Sequence, residues 1–205
     1  MLRKTSWRTT RVGLDVDAMS DDETATTAIR TKLEGTNINS VSLLATDYLN
    51  HINEAVMLLE MVPEMPDFLE DVKEWQPKSY AQHFSDSGFT DKDLAIEAYD
   101  HAPAAFRAPF DQTIAQIDEL LLTTVKGVDK LVGNGPDERI SVMIKEVTTS
   151  IHQLIEQANA IINGSVEVLD QTDVDAILAS EPSENSVQFS KETALLLYGE
   201  KPIRD

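Results

Sequence analysis

Two apolar stripes of equal step, joined by a tight turn, constrain this 205-residue chain more than any other feature. Phe110, Ile114, Ile117, Leu121, Val125, Val128 and Val132 recur at intervals of 4, 3, 4, 4, 3 and 4 residues. Ile140, Ile144, Val147, Ile151, Ile155, Ala158 and Ile162 repeat the same intervals. Steps of three and four keep one face of an α-helix apolar, whereas a strand alternates every second residue. Between the stripes, Gly133, Asn134 and Gly135 make the turn. Pro109 and Pro136 each suit the first turn of the helix that follows, where a missing N–H does no harm. The expected fold is therefore all-α: a helical bundle built on a long antiparallel hairpin, about residues 109–163, with shorter helices around it. No segment reads as a strand.

Upstream, Ser20 and Glu23 have capping-box spacing and Gly35 can close the helix they open. A second helix is expected from Ser40 to Met61, with Leu44, Tyr48 or Leu49, Ile52, Val56 and Leu59 on its buried face and Pro63 and Pro66 as its stop. Residues 66–101 hold short helical pieces, the last opened by Thr90 as N-cap. Their aromatic residues (Phe68, Trp75, Tyr80, Phe84, Phe89 and Tyr99) mark an aromatic-rich cap on the bundle. Residues 1–19 read as a disordered leader, with Met19 a second candidate start beside Met1, and 20–163 as the bundle domain. Beyond Gly164 the chain turns acidic and is broken by Pro182, so 164–205 is expected to be a flexible acidic tail, with one last short helix from Ser190 to Gly199.

Charge narrows the partners. With 36 acidic against 17 basic residues the formal net charge is −19. Such a field repels phosphate backbones and anionic lipid, so neither nucleic acid nor membrane is an expected partner, and a basic protein surface is. No uninterrupted apolar run reaches the length of a membrane span. The basic N-terminal stretch lacks the apolar core of a secretory signal. The chain has no cysteine, which excludes disulfides and thiolate chemistry and fits a cytoplasmic protein.

Within the tail, "VLDQTDVDAILAS" (Val168 to Ser180) carries the clearest functional pattern. Asp170 can cap a helix, Asp173 occupies the reciprocal capping-box position, and both meet the positive end of the helix dipole. Val174, Ile177 and Leu178 then form an apolar stripe onto which Leu169 can staple. A helix this short is marginal alone in water and orders against a groove. Leu169, Asp170, Gln171, Asp173, Val174, Asp175, Ala176, Ile177 and Leu178 resemble the N-terminal peptide of the flagellar motor switch protein FliM, whose pattern is Leu-Ser-Gln-x-Glu/Asp-Ile-Asp-Ala-Leu-Leu. A similar peptide ends the chemotaxis phosphatase CheZ, where it follows a long helical hairpin that forms a dimeric four-helix bundle. The resemblance covers about a dozen residues. It implies binding to a CheY-like receiver domain, a role in chemotaxis or flagellar signalling, and pairing of two copies through the hairpin.

Catalytic signals are sparse. The Asp-Phe-Gln-Asp-x-Thr-Gly-Gln segment of the CheZ family is absent, and no Asp of the bundle has a Gln four residues on. Glu156 and Asn159 offer the acid–amide spacing of a second class of chemotaxis phosphatases, whose α/β fold has no trace here. If the chain is an enzyme, it is a response-regulator phosphatase; the reading leans to a non-enzymatic adaptor without cofactor. Asp47, His51 and Glu54 stand on adjacent positions of one expected helix and are the candidates for a divalent metal, although the Glu-x-x-His spacing of carboxylate-bridged bundles is missing. Two alternatives to the adaptor therefore stay open: a metal-binding His/carboxylate bundle, and a structural interaction bundle whose tail packs on itself.

Overall fold

The computed structural model describes residues 21–132, 138–165 and 189–198. In chain order these form α1 (Asp21–Lys32), a 3-10 turn (Thr46–Leu49), α2 (Asn50–Met61), α3 (Phe68–Glu74), α4 (Tyr80–Asp86), α5 (Lys92–Asp100), α6 (Ala104–Val132), α7 (Glu138–Ile162) and α8 (Lys191–Tyr198). Among the described residues there is no strand, only one isolated bridge between Ile38 and Ala45. The fold is an all-α helical bundle.

The α6–α7 pair carries the core, as its repeat requires. Ile117, Leu121 and Val128 on α6 and Val147, Ile151 and Ala158 on α7 are fully buried. The buried face is wider than the stripe, however: Leu120, Thr124 and Leu131 join on α6, and Met143, Thr148, Leu154 and Ile161 on α7. Each hairpin helix has several neighbours, α2 and α8 on both, α3 on α6, and the 3-10 turn on α7. The stripe is thus covered within a single chain.

The hairpin begins earlier than its sequence pattern indicates. Helix α6 opens at Ala104, with the Pro103 carbonyl accepting from the N–H groups of Phe106 and Arg107, so Pro109 lies inside the helix. A proline this close to the start removes a single ladder bond. The Thr113 hydroxyl donates to the Pro109 carbonyl at 2.8 Å.

The expected helix from Ser40 is also corrected, since α2 starts only at Asn50. Asn39 Oδ1 accepts from the N–H groups of Val41 and Ser42, at 2.8 and 3.1 Å, and folds the chain into a turn there. Leu43 takes a left-handed backbone conformation (φ 62°), which costs about 1–2 kcal/mol in an L-residue and is offset by complete burial of its side chain. Ser42 donates its hydroxyl to the carbonyl of Ile162, one of the last carbonyls of α7 that the helix itself leaves without a donor. Nor is Thr90 a cap: α5 is preceded by Asp91.

Part of the tail is packed rather than flexible. Ser190 caps α8, its Oγ accepting from Thr193 N–H at 3.2 Å, and its own N–H donates to Glu146 Oε2 of α7 at 3.1 Å. Phe189, Leu196 and Leu197 lie against the core, and Thr193 is buried.

Candidate functional site

The partner-binding residues expected at 169–178 lie outside the described residues. Both flanks of that stretch are fixed. Ser165 N–H donates to the Ala160 carbonyl at the end of α7, and Ser190 is held by Glu146. Glu146 lies fourteen residues before Ala160, so the two anchors stand about 21 Å apart along the helix. Glu156 is exposed and Asn159 half-buried on α7, and neither borders the cavity described below.

Asp47, His51 and Glu54 do not converge. Asp47 sits on the 3-10 turn, not on α2, while the His51 ring stacks on Trp75 with centroids 5.0 Å apart. His51 Nε2 lies 2.8 Å from the Gln76 carbonyl, and Trp75 Nε1 donates to the His51 carbonyl at 3.0 Å. His83 is a second imidazole 6.0 Å away. Burial lowers the pKa of both rings. The Gln76 carbonyl and Glu54 oppose that for His51, and His51 itself lowers His83 further. Among the described residues no three His, Asp or Glu side chains form a metal cluster.

The chemically distinctive site lies where the aromatic cap meets α6. Phe110, Asp111, Ile114 and Asp118 share one side of α6, since steps of three, four and seven return to the same face. With Tyr48 of the 3-10 turn, Tyr80 of α4 and Tyr99 of α5 they line a cavity of about 280 Å³. Tyr80 stacks between Tyr48 and Tyr99, at centroid distances of 5.3 and 4.4 Å. Every tyrosine hydroxyl is fixed: Tyr48 donates to the Lys78 carbonyl, Tyr80 accepts from Ala45 N–H, and Tyr99 donates to Asp111 Oδ1, each at 2.7 Å. Desolvation, with Asp111 adding to it, pushes the Tyr99 hydroxyl up to about 12.

Most charges around the cavity are matched. Arg107 lies over the Tyr99 ring at 4.4 Å with Nε 3.8 Å from Asp111 Oδ2, and Lys78 Nζ donates to Asp86 at 2.9 Å. Asp118 is the exception, for among the described residues it has no hydrogen-bond or ion-pair partner. Burial alone pushes its pKa up to about 6. Burial, and then the Asp118 charge, also raises the pKa of Tyr48.

No protein-family model, no curated protein and no solved structure matches the chain. No described helix is long and apolar enough to cross a membrane. What the site can do therefore follows from its chemistry: Asp118 can accept a proton near neutral pH or hold a cation. Sequence reasoning passed over Asp118 because it flanks the stripe, four residues after Ile114 and one after Ile117, where a solvated acid is the ordinary expectation. The one available signal was an acid beside a buried stripe and within reach of an aromatic-rich segment.

Proposed function

We propose that the protein is a non-enzymatic binding module of chemotaxis or flagellar signalling that captures a CheY-like receiver domain on Leu169–Leu178. The pattern of apolar and acidic residues in that stretch carries the reading. Asp173 and Asp175 would face a basic rim on the receiver, while Val174, Ile177 and Leu178 enter its groove. Packing of α8 favours one element of a structural reading, a tail that straps onto its own core, and the two roles are compatible. A pair of copies in solution would have to meet on surface other than the hairpin stripe, which the chain itself covers.

The test is a titration of the full-length protein against chemotaxis receiver domains, with and without beryllofluoride as the phosphoryl mimic. The activated receiver should bind tighter, and replacing Ile177 and Leu178 by Ala should weaken capture by at least about tenfold while leaving helicity unchanged. Undiminished capture by that variant would rule the segment out as the docking site.

A further inference from the structure

We propose that the solvent face of α2 is a docking surface for a basic amphipathic helix of a partner protein. Ile52, Ala55, Val56 and Leu59 of α2 turn inward. Glu54, Met57, Met61 and Glu64 step by 3, 4 and 3 along the opposite side. Met65 N–H donates to the Met61 carbonyl at 2.9 Å, so the helical turn continues past the last residue of α2. Met57, Met61 and Met65 therefore stand in one line about 12 Å long. Met57 is 54% exposed and Met65 45%, with Met61 half-buried between them. A single exposed apolar side chain is ordinary, whereas three unbranched thioethers in a row make a deformable apolar strip that adapts to a partner's side chains.

Charge selects the occupant. Between Lys32 and Lys73 the chain has no lysine or arginine but eight Asp and Glu. Glu54 and Glu64 flank the strip and, among the described residues, take no part in an ion pair. Glu60 is shared with the exposed His152, 3.0 Å away. A second copy meeting this face on itself would set the same acids against each other. The chain's own segment 166–188 has acidic residues and no lysine or arginine, so it offers the same sign of charge. A partner helix with one apolar stripe and lysine or arginine at its edges matches both the strip and its rim.

The probe is an amphipathic leucine–lysine helical peptide, titrated into the full-length protein. Its control is a peptide of the same composition in scrambled order, which carries the same charge without the stripe. Saturable binding of the amphipathic peptide is expected, weakened at least about fivefold by Met57→Gln with Met65→Gln, and also by Glu54→Gln with Glu64→Gln. These exchanges are at exposed positions, and glutamine keeps the helix propensity, so the fold is not at stake. Val142→Gln, on the exposed side of α7, should leave the affinity unchanged. On protein labelled at its methionine methyl groups, the peptide should shift the Met57 and Met65 signals and leave that of buried Met143 in place. Equal binding of the scrambled peptide, unmoved Met57 and Met65 signals, or undiminished affinity of the methionine variant would each overturn the proposal. So would a change of oligomeric state in that variant, which would assign the face to a second copy. Binding seen only after removal of residues 1–20 would overturn it too, by assigning the face to the chain's own basic stretch from Arg3 to Arg11.

Discussion

A carboxyl that loses solvent on folding without gaining a partner destabilises the fold when it is ionised, and half-buried Asp118 is such a group. Its folded pKa of about 6 lies above the ordinary 3.8. The unfolded chain therefore holds the charge more easily, and the contribution runs in one direction. Stability is fully present below pH 3.8 and is lost as pH rises through about 6. The full shift would be worth up to ~3 kcal/mol, but the carboxyl keeps an outlet to the cavity mouth, so about 1 kcal/mol is the expected effect. Asp118→Asn should therefore raise the urea midpoint at pH 7.5 and bring little gain at pH 4.5. A variant less stable than the parent at both values would show that Asp118 makes a contact worth more than its desolvation. This residue was illegible in the sequence for a physical reason. Its environment is assembled from Tyr48 and Tyr80, 70 and 38 positions away in sequence, and helical periodicity carries no information about such partners.

At the level of elements, the repeats on α6 and α7 were legible because each buried position recurs on one face. The run from Leu44 to Leu49 was misleading for the same reason. Leu44, Tyr48 and Leu49 are indeed buried, but a turn held by Asn39 and a left-handed Leu43 put them there rather than a continuous helix. The docking of α8 was invisible, since it depends on Glu146 and on a small residue at Gly127 of α6. A Cβ at Gly127 would sit 3.7 Å from the Leu196 carbonyl oxygen and 3.7 Å from Met143 Sδ, ordinary contact distances. Alanine is thus accommodated, and its helix propensity should stabilise the protein by about 0.5–1 kcal/mol. A leucine at the same place has no room beneath α8 and should displace it. The expected pair of results is a higher melting temperature for Gly127→Ala and, for Gly127→Leu, faster proteolysis after Tyr198 with the hairpin still folded. If Gly127→Leu left α8 as protected as in the parent, the close packing assigned here would be wrong.

For the molecule as a whole, charge and burial set a pH profile with two opposed parts. At −19 the chain repels itself above neutrality, and its described ion pairs are all on the surface, where each contributes little. A specific pH dependence comes instead from the cap, where burial among Trp75, Tyr48 and Phe84 disfavours the charged form of His51 and His83. Both pKa values are lowered by burial, so below the ordinary 6.5 the unfolded chain takes up protons that the folded chain refuses. Their contribution is fully present above pH 6.5 and is lost as pH falls through the lower folded values, opposite in sign to that of Asp118. The clean measurement uses Asp118→Asn as background, which removes the opposing contribution of that carboxyl. In that protein the urea midpoint should fall between pH 7 and pH 5, and adding His51→Gln and His83→Gln should flatten the profile. Gln at position 51 keeps a donor for the Gln76 carbonyl, so the flattening isolates the proton from the hydrogen bond. A slope that persists without both imidazoles would move the pH sensitivity of the cap onto its carboxylates, and with it the reason for setting two histidines 6.0 Å apart there.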